Sequence, residues 1–317
     1  MNSNIDLLLF IWVTIAHGSS IIINTFLILI ILFNKLNYTL DIQLILFISV
    51  SDLLTSTINL SYTILKYIFE FDFNYIPIFY CQLSGILISL VDNLSSISIF
   101  LLAFERYQVL CNQKNYKRHF YLVILFILFS LAVILAALSG IGNQFEPSPS
   151  GGFCTLKPST SNHYLYFQFL LFNLSLFFVL FFYISITIST ISKTNKLKNR
   201  KRFRVITRDL TSLETGQADV INFYHQSIPD DEVEALFNIK VKVIFKSMTF
   251  CLVYISLFIP NLIEWWMIIV STQLWSTTLD LVTILTYSWV QAANPLLAIC
   301  LHSQIRSVLV DFFKVNK

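Results

Sequence analysis

The third of seven long apolar stretches in this sequence carries most of the side chains that could do chemistry. Counted back along an α-helix from Arg106, the residues Ser95, Asp92, Ile88 and Cys81 fall within roughly 40° of one line. A buried acid is expensive to place in lipid, so this line must face water or the interior of a helical bundle. One stripe therefore connects a cysteine and two polar groups to a basic residue at the opposite end.

No catalytic or metal-ligating cluster accompanies this stripe. An enzyme inside a membrane would need paired aspartates or a His-Glu-x-x-His pattern, and His17 is the only histidine within an apolar stretch. We expect His17 to be hydrogen-bonded within the bundle, and we predict neither an enzyme nor a metal centre. Two interpretations of Asp92 stay open: a protonated acid that hydrogen-bonds another helix, or a contact with a ligand.

The elements that position these residues are long and apolar. Hydrophobic residues make up 56% of the 317 residues and charged ones 12%, against roughly 25% charged in soluble domains. All seven stretches reach the about 20 residues that cross a bilayer as a helix. The sequence therefore predicts an all-α integral membrane protein, a single seven-transmembrane helix bundle with helices at about 7–33, 42–67, 78–109, 120–141, 164–192, 238–270 and 278–301.

The distribution of basic residues predicts the orientation. With the N-terminus outside, all but Lys66 and Lys157 of the 21 Lys and Arg residues lie on the cytoplasmic side, which is the positive-inside pattern. The net charge of +3 is then a signal of topology, and we predict no nucleic-acid partner. The first stretch lacks a basic n-region, so we expect a retained first helix. A multi-pass membrane protein follows.

Two segments outside the bundle have recognisable patterns. We predict a cytoplasmic loop at 193–237, which begins with the basic run Lys193–Arg208. This run is either solvated or lies against anionic inner-leaflet lipid, where each charge contributes about 1 kcal/mol; the two interpretations are compatible. Residues 303–314 have apolar side chains at helical spacing, which predicts a short amphipathic helix in the membrane interface.

The inner end of the third stretch reads Glu105-Arg106-Tyr107, and Cys81 lies at its other end. Further residues in other helices belong to the same pattern, namely Asn24, Ser51-Asp52-Leu53, Pro260 and Asn294-Pro295. Together they resemble the rhodopsin-like (class A) G-protein-coupled receptors over all seven helices. The resemblance implies a receptor that transmits the signal of a small extracellular ligand to a heterotrimeric G-protein. In that family helix 6 moves outward around the Arg, which makes Arg106 the switch and Glu105 its restraint.

The resemblance also implies two structural features. Cys81 and Cys154 correspond to the family's disulfide between helix 3 and the second outer loop. Asn24, Asp52, Ser95 and Asn294 correspond to a polar network at mid-membrane depth, with water and, in many members, a sodium ion near the acid. Val290 and Gln291 stand where small polar residues are usual, which weakens the case for the ion more than for the network.

Several positions depart from the family pattern. Phe258 stands where Trp is common, with Tyr254 one turn below, and Ala298 replaces a Tyr used in the active state. Lys240 stands about where some members carry an acid facing Arg106, so the resting restraint must depend on Glu105. We expect Pro260 to kink helix 6 because it has no amide hydrogen.

The sequence leaves the ligand undefined. Ile88 occupies the position where amine receptors carry an acid, which weakens an aminergic interpretation. A pocket could be lined by Ile88, Asp92, Phe258, Glu264, Trp265, Asp280 and Tyr287. Its three acids would favour a cationic or hydrogen-bond-donating small molecule.

Two other classes of membrane protein were weighed. A retinal protein needs a Schiff-base Lys in helix 7, but no Lys or Arg lies between Lys246 and Arg306, and Ser288 is near the expected place. We therefore predict no retinal and no other cofactor. A transporter or channel is the main alternative; it would predict repeated halves and helices broken by Gly or Pro, and the sequence shows neither pattern.

Overall fold

The computed structural model describes most of the bundle. The described residues are 3–33, 39–68, 78–114, 116–148, 154–156, 163–215, 255–267 and 276–315, with a few single residues between 245 and 270. The helices are α1 Ser3–Phe33, α2 Leu40–Ile68, α3 Ile78–Tyr107, α4 Arg118–Ile141, α5 His163–Thr215, α6 255–267, α7 Thr277–Tyr287, α8 Val290–Leu301 and α9 Ser303–Val315. A short antiparallel hairpin between α4 and α5 is formed by β1 Phe145–Pro147 and β2 Cys154–Leu156.

The helices have the length and apolarity that a bilayer requires. In the described part of the chain, five segments qualify as membrane spans, namely Leu7–Phe33, Leu40–Leu65, Cys81–Asn112, Arg118–Ile141 and Tyr166–Ser192. Large apolar side chains such as Ile22 and Phe126 remain more than two-thirds exposed on the outside of the bundle, at 71% and 72%. Lipid is the surrounding that suits such a surface, and the prediction of an all-α membrane bundle is confirmed.

Helix α3 is the centre of the bundle. It packs against α2, α4 and α5, so its polar stripe is surrounded by other helices. A Cβ on Gly140 would lie 2.1 Å from Cδ1 of Ile86, so the missing side chain lets α4 approach α3 closely at this level. The two ends of the stripe, Cys81 and Arg106, therefore lie at opposite ends of the bundle.

Helix α5 is longer than predicted. The sequence predicted its end near 192, but the helix continues through the basic run to Thr215. No Gly or Pro occurs between 193 and 215, and Lys, Arg and Leu are good helix formers. The polar composition of this segment therefore marks where the chain leaves the membrane. It does not mark the end of the helix, which continues beyond that point. The rest of the predicted loop, 216–237, lies outside the described residues.

The seventh span, predicted as a helix at 278–301, contains one irregular turn at Ser288 and Trp289, both of which keep αR backbone angles. Helix α7 ends at Tyr287 and α8 begins at Val290. At the break, the amide of Trp289 donates to the carbonyl of Thr286 (3.2 Å), and the carbonyl of Leu285 accepts from the indole nitrogen of Trp12 in α1 (2.9 Å). The indole N–H of Trp12 thus binds the carbonyl of Leu285, which in a regular helix would accept from the amide of Trp289.

Pro295 causes a second gap in the same span. A proline has no amide hydrogen, so the carbonyl four residues earlier, that of Gln291, has no partner within the helix. Asn24 of α1 donates its side-chain amide to this carbonyl (2.9 Å). Helix α1 therefore completes the hydrogen bonding of the seventh span at two levels, through Trp12 and Asn24.

The chain turns by 87° at the end of α8 into α9. Ile305 of α9 is fully buried, whereas Arg306 and Asp311 are exposed, so the expected amphipathic helix is confirmed. The imidazole of His302, at the turn, contacts the carboxylate of Asp41 at the start of α2. This contact fixes the turn to the end of the neighbouring helix.

Candidate functional site

A cavity of about 150 Å³ lies between the helices at the end of the bundle that carries the hairpin. Residues of α1, α2, α3, α5, α6 and α7 line it, together with the hairpin. Its volume is below the roughly 300–1,000 Å³ of drug-sized sites. The cavity therefore suits a small molecule.

The hairpin closes one side of the cavity and is fastened to α3. Gln82 donates to the carbonyl of Phe145 (2.7 Å) and accepts from the amide of the same residue (3.2 Å). A Cβ on Gly85 would lie 2.4 Å from Cδ1 of Phe145, so only a glycine leaves room for this ring. The expected disulfide between Cys81 and Cys154 is present, with its Cα atoms 5.5 Å apart, and is confirmed.

Asp92 connects three helices at the cavity wall. One carboxylate oxygen accepts from the hydroxyl of Thr55 in α2 (3.0 Å), and the other accepts from the hydroxyl of Tyr287 in α7 (2.9 Å). Asp92 also lines the cavity. The two interpretations of this acid are therefore not exclusive, because the same carboxylate joins helices and faces the space a ligand would occupy.

The other predicted pocket residues divide into three groups. Ile88, Trp265 and Tyr287 line the cavity. Phe258 is buried beside it, with its ring 5.9 Å from that of Tyr287 and nearly perpendicular to it. The remaining two, Glu264 and Asp280, are buried but outside the residues that line the cavity. Among the lining residues that the structure describes, Asp92 is therefore the only carboxylate.

Sequence reasoning missed several polar residues that line the cavity: His17, Asn59, Gln168, Asn261 and Thr283. Most of them are uncharged amides and hydroxyls within apolar stretches, and only their polarity could have marked them. His17 is 3% exposed, and its Nδ1 has no hydrogen-bond partner among the described residues. The hydrogen bond expected for His17 stays a prediction for its other ring nitrogen.

The mid-membrane residues meet below the cavity. Ser95 donates to one oxygen of Asp52 and Asn294 donates to the other, each at 2.9 Å. Asn24 joins through α1, where its amide also donates to the hydroxyl of Ser20 (3.1 Å). The structure thus brings together three of the four predicted residues directly and the fourth through the backbone of the seventh span.

Arg106 occupies the last turn of α3, at the end of the bundle opposite the cavity. No ion pair joins it to Glu105 in the part of the chain that is described, although the two charges interact. The ring of Tyr107 stacks on Phe182 of α5 at 5.1 Å. Pro260 lies within the helical residues 255–267, whereas Lys240 and Tyr254 lie outside the described residues.

Comparison with known proteins gives two findings. The family model described as "7 transmembrane receptor (rhodopsin family)" matches residues 23–297. The fold is similar to the crystal structure of squid rhodopsin, with a TM-score of 0.70 and 15% sequence identity, over 99% of this chain and 87% of that one. No curated protein sequence matches the chain.

Proposed function

The chain belongs to the rhodopsin family of seven-transmembrane receptors, and we propose that it carries the signal of a small extracellular ligand to a heterotrimeric G-protein. In this proposal the ligand occupies the cavity beside Asp92, and helix 6 moves around Arg106. The protein lies in the plasma membrane with its N-terminus outside. The observation that carries the proposal is the position of Asp92, which faces the cavity and also joins α2 to α7.

A ligand at Asp92 can act on helix 6 through Tyr287. A cationic or hydrogen-bond-donating group would compete with the hydroxyl of Tyr287 for the carboxylate of Asp92, because both seek the same oxygen atoms. The ring of Tyr287 rests against Phe258, which lies two residues before Pro260 in the sequence. Movement of Tyr287 would therefore displace Phe258 and, with it, helix 6. In this proposal the outward motion of helix 6 opens the cytoplasmic end of the bundle.

The polar network below the cavity supports the same route. Asp52, Ser95 and Asn294 tie α2, α3 and α8 together at a level between Asp92 and Arg106. Retinal and other cofactors have no role in this mechanism, and neither does a metal ion. A sodium ion near Asp52 stays possible, because the donors of Ser95 and Asn294 supply one hydrogen bond to each carboxylate oxygen and leave further acceptor capacity.

At the inner end, Arg106 is proposed to contact the G-protein, and Glu105 to hold it in the resting state through the attraction of their charges. Lipid is a further proposed partner: the basic run Lys193–Arg208 continues α5 and would meet the anionic inner leaflet where the helix leaves the membrane. This attraction would hold the cytoplasmic end of α5 close to the inner leaflet.

The first test is coupling itself. Cells that express the chain together with a panel of G-protein activation sensors are expected to show activation of at least one G-protein class above that in mock-transfected cells. Arg106→Ala is expected to reduce this signal at least tenfold at equal surface expression. The matched control is Arg118→Ala, which removes an exposed Arg at the start of the next helix and should leave the signal unchanged. Coupling that is absent, or equal in Arg106→Ala, contradicts the proposal.

The second test concerns Asp92. Asp92→Asn keeps the shape of the side chain and removes the negative charge, so activation by cationic ligands found in a screen of small amines should require at least tenfold more ligand. Thr55→Val is the control, because it removes one hydrogen bond to Asp92 and keeps the charge. Dose–response curves of the same sensors measure both variants. An unchanged response of Asp92→Asn to every active amine would exclude the proposed contact.

A further inference from the structure

One polar contact on the cavity wall joins side chains of two helices. The amide nitrogen of Gln168 in α5 donates to the hydroxyl of Ser89 in α3 (2.9 Å). Both residues line the cavity. This hydrogen bond therefore holds the Gln168 amide at the wall of the space that a ligand would occupy.

The Gln168 amide has hydrogen-bonding capacity that the protein leaves unused. A carboxamide has two N–H donors and a carbonyl acceptor, and the contact with Ser89 takes one N–H. The carbonyl oxygen accepts no hydrogen bond from the described residues, and it is not one of the polar atoms that lack accessible surface. One donor and an accessible acceptor therefore remain for a ligand.

The other carboxamides of the cavity lining differ from Gln168. Asn93 donates to the backbone carbonyl of Ser89 in its own helix (2.7 Å). The side chains of Asn59 and Asn261 make no hydrogen bond to the described residues, so a ligand would have to order them. An amide that is already held in place loses less conformational entropy on binding, which favours Gln168 as the contact.

The contact of Gln168 lies on the same face of α3 as Asp92. Ser89 and Asp92 are three residues apart, so they share one side of the helix and differ in height by about 4.5 Å, with Ser89 nearer the hairpin. Both line the cavity. A short ligand with a polar group at each end can therefore reach the carboxylate of Asp92 and the amide of Gln168 together.

The chemistry of the lining residues limits these two polar groups. Among the described lining residues Asp92 is the only carboxylate, and there is no Lys or Arg, so the cavity offers a counter-charge to one cation and to no anion. Phe172, one turn beyond Gln168 on α5, also lines the cavity, and a second charge beside this apolar ring would be costly. A carboxamide is neutral and carries a donor beside an acceptor, as the Gln168 amide does.

We propose that Gln168 forms a second ligand subsite and that the ligand is a small amine with a carboxamide at its other end. Its ammonium group binds at Asp92, and its carboxamide binds the amide of Gln168. The inference rests on the proposed function of the cavity as the receptor's ligand site, and it adds a specificity-determining residue on α5 and the chemical class of the ligand.

The test uses two matched series of primary amines on the full-length purified protein. The first series is β-alaninamide, γ-aminobutyramide and δ-aminovaleramide; the second is isopentylamine, isohexylamine and isoheptylamine, in which an isopropyl group of similar size replaces the carboxamide. Dissociation constants come from the ligand-dependent rise in unfolding temperature. At least one amino amide is expected to bind at least tenfold more tightly than its isopropyl counterpart.

Two variants of Gln168 locate the source of this preference. Gln168→Leu should reduce the preference for the carboxamide to less than threefold and leave the binding of the isopropyl amines unchanged, whereas Asp92→Asn should weaken both series. Gln168→Glu keeps the size of the side chain and supplies a second carboxylate. The terminal diamines of the same chain lengths, diaminopropane, diaminobutane and diaminopentane, should therefore bind at least tenfold more tightly to Gln168→Glu than to the wild type. This gain of binding also shows that the variant folds.

Asn173→Leu is the matched control. It removes another carboxamide of α5, whose nitrogen donates to the carbonyl of Phe169 in the same helix (2.7 Å), and Asn173 does not line the cavity. It should leave the carboxamide preference intact. The subsite is overturned if the wild-type protein binds both series equally, if Gln168→Leu keeps the preference, or if Gln168→Glu gains no affinity for the diamines. Absence of binding by every amine overturns the assigned ligand class.

The failure of the proposed function has a different signature. If the amino amides bind as described but no G-protein sensor responds in an Arg106-dependent manner, the subsite stands and the receptor function fails. If coupling depends on Arg106 but the carboxamide preference is absent, the receptor function stands and the subsite fails.

Discussion

Replacing Cys81 or Cys154 by serine is expected to destabilise the protein by ~2–4 kcal/mol, because the disulfide closes a long loop of the chain. The bond joins residues 73 positions apart, and both cysteines are buried. The single variants and the double variant should lose the same amount, since either change removes the one bond.

The measurement is the unfolding temperature of the purified protein, together with the amount at the cell surface. Cys300→Ser is the matched control, because Cys300 is exposed and forms no disulfide; it should behave like the wild type. Single serine variants as stable as the wild type would show that Gln82 and the close packing of Phe145 hold the hairpin without the bond.

Asp52→Ala is expected to have an effect of similar size for another reason. It removes the acceptor that Ser95 and Asn294 share, and a buried donor that loses its acceptor costs about 1–3 kcal/mol. Asp52→Asn should cost less, because its amide keeps one oxygen as an acceptor. The loss should be visible as a lower unfolding temperature and, since these residues tie three helices together, as altered G-protein activation.

A double-mutant cycle identifies the contact. If Asp52 and Asn294 act through their hydrogen bond, Asp52→Ala and Asn294→Ala together should cost less than the sum of the two separate changes. Asp311→Ala removes an exposed acid of α9 and should change stability by less than about 0.5 kcal/mol. If the costs of Asp52→Ala and Asn294→Ala were strictly additive, the two residues would not stabilise the protein through their shared hydrogen bond.

Charged residues in apolar stretches were the most informative signal in the sequence. A buried acid has so few acceptable surroundings that Asp52 and Asp92 were expected to face the bundle interior, and both do so. Glu264 is also buried, but it lies outside the cavity lining to which it was assigned. Consecutive helical residues point about 100° apart, and the neighbouring Trp265 is the one that lines the cavity.

Two features that depend on contacts between helices could not be predicted. Nothing in the sequence at Ser288 and Trp289 marks a break, because these residues are compatible with a helix. The released carbonyl of Leu285 accepts from the indole of Trp12 in α1 and from the hydroxyl of Ser288, and the first of these contacts depends on the packing of α1. The placement of His17 and Thr283 around one cavity likewise depends on the packing of α1 against α7, which a single sequence does not reveal.

The attachment of the hairpin to α3 bears on how fast a ligand can enter and leave. Three separate fastenings hold it, namely the disulfide, the two hydrogen bonds of Gln82 and the ring of Phe145 over Gly85. A cover that is ordered beforehand loses little conformational entropy when a ligand binds. If the proposed ligand binds in the cavity, a hairpin fastened in this way predicts entry along its edge and slow exchange with a long residence time.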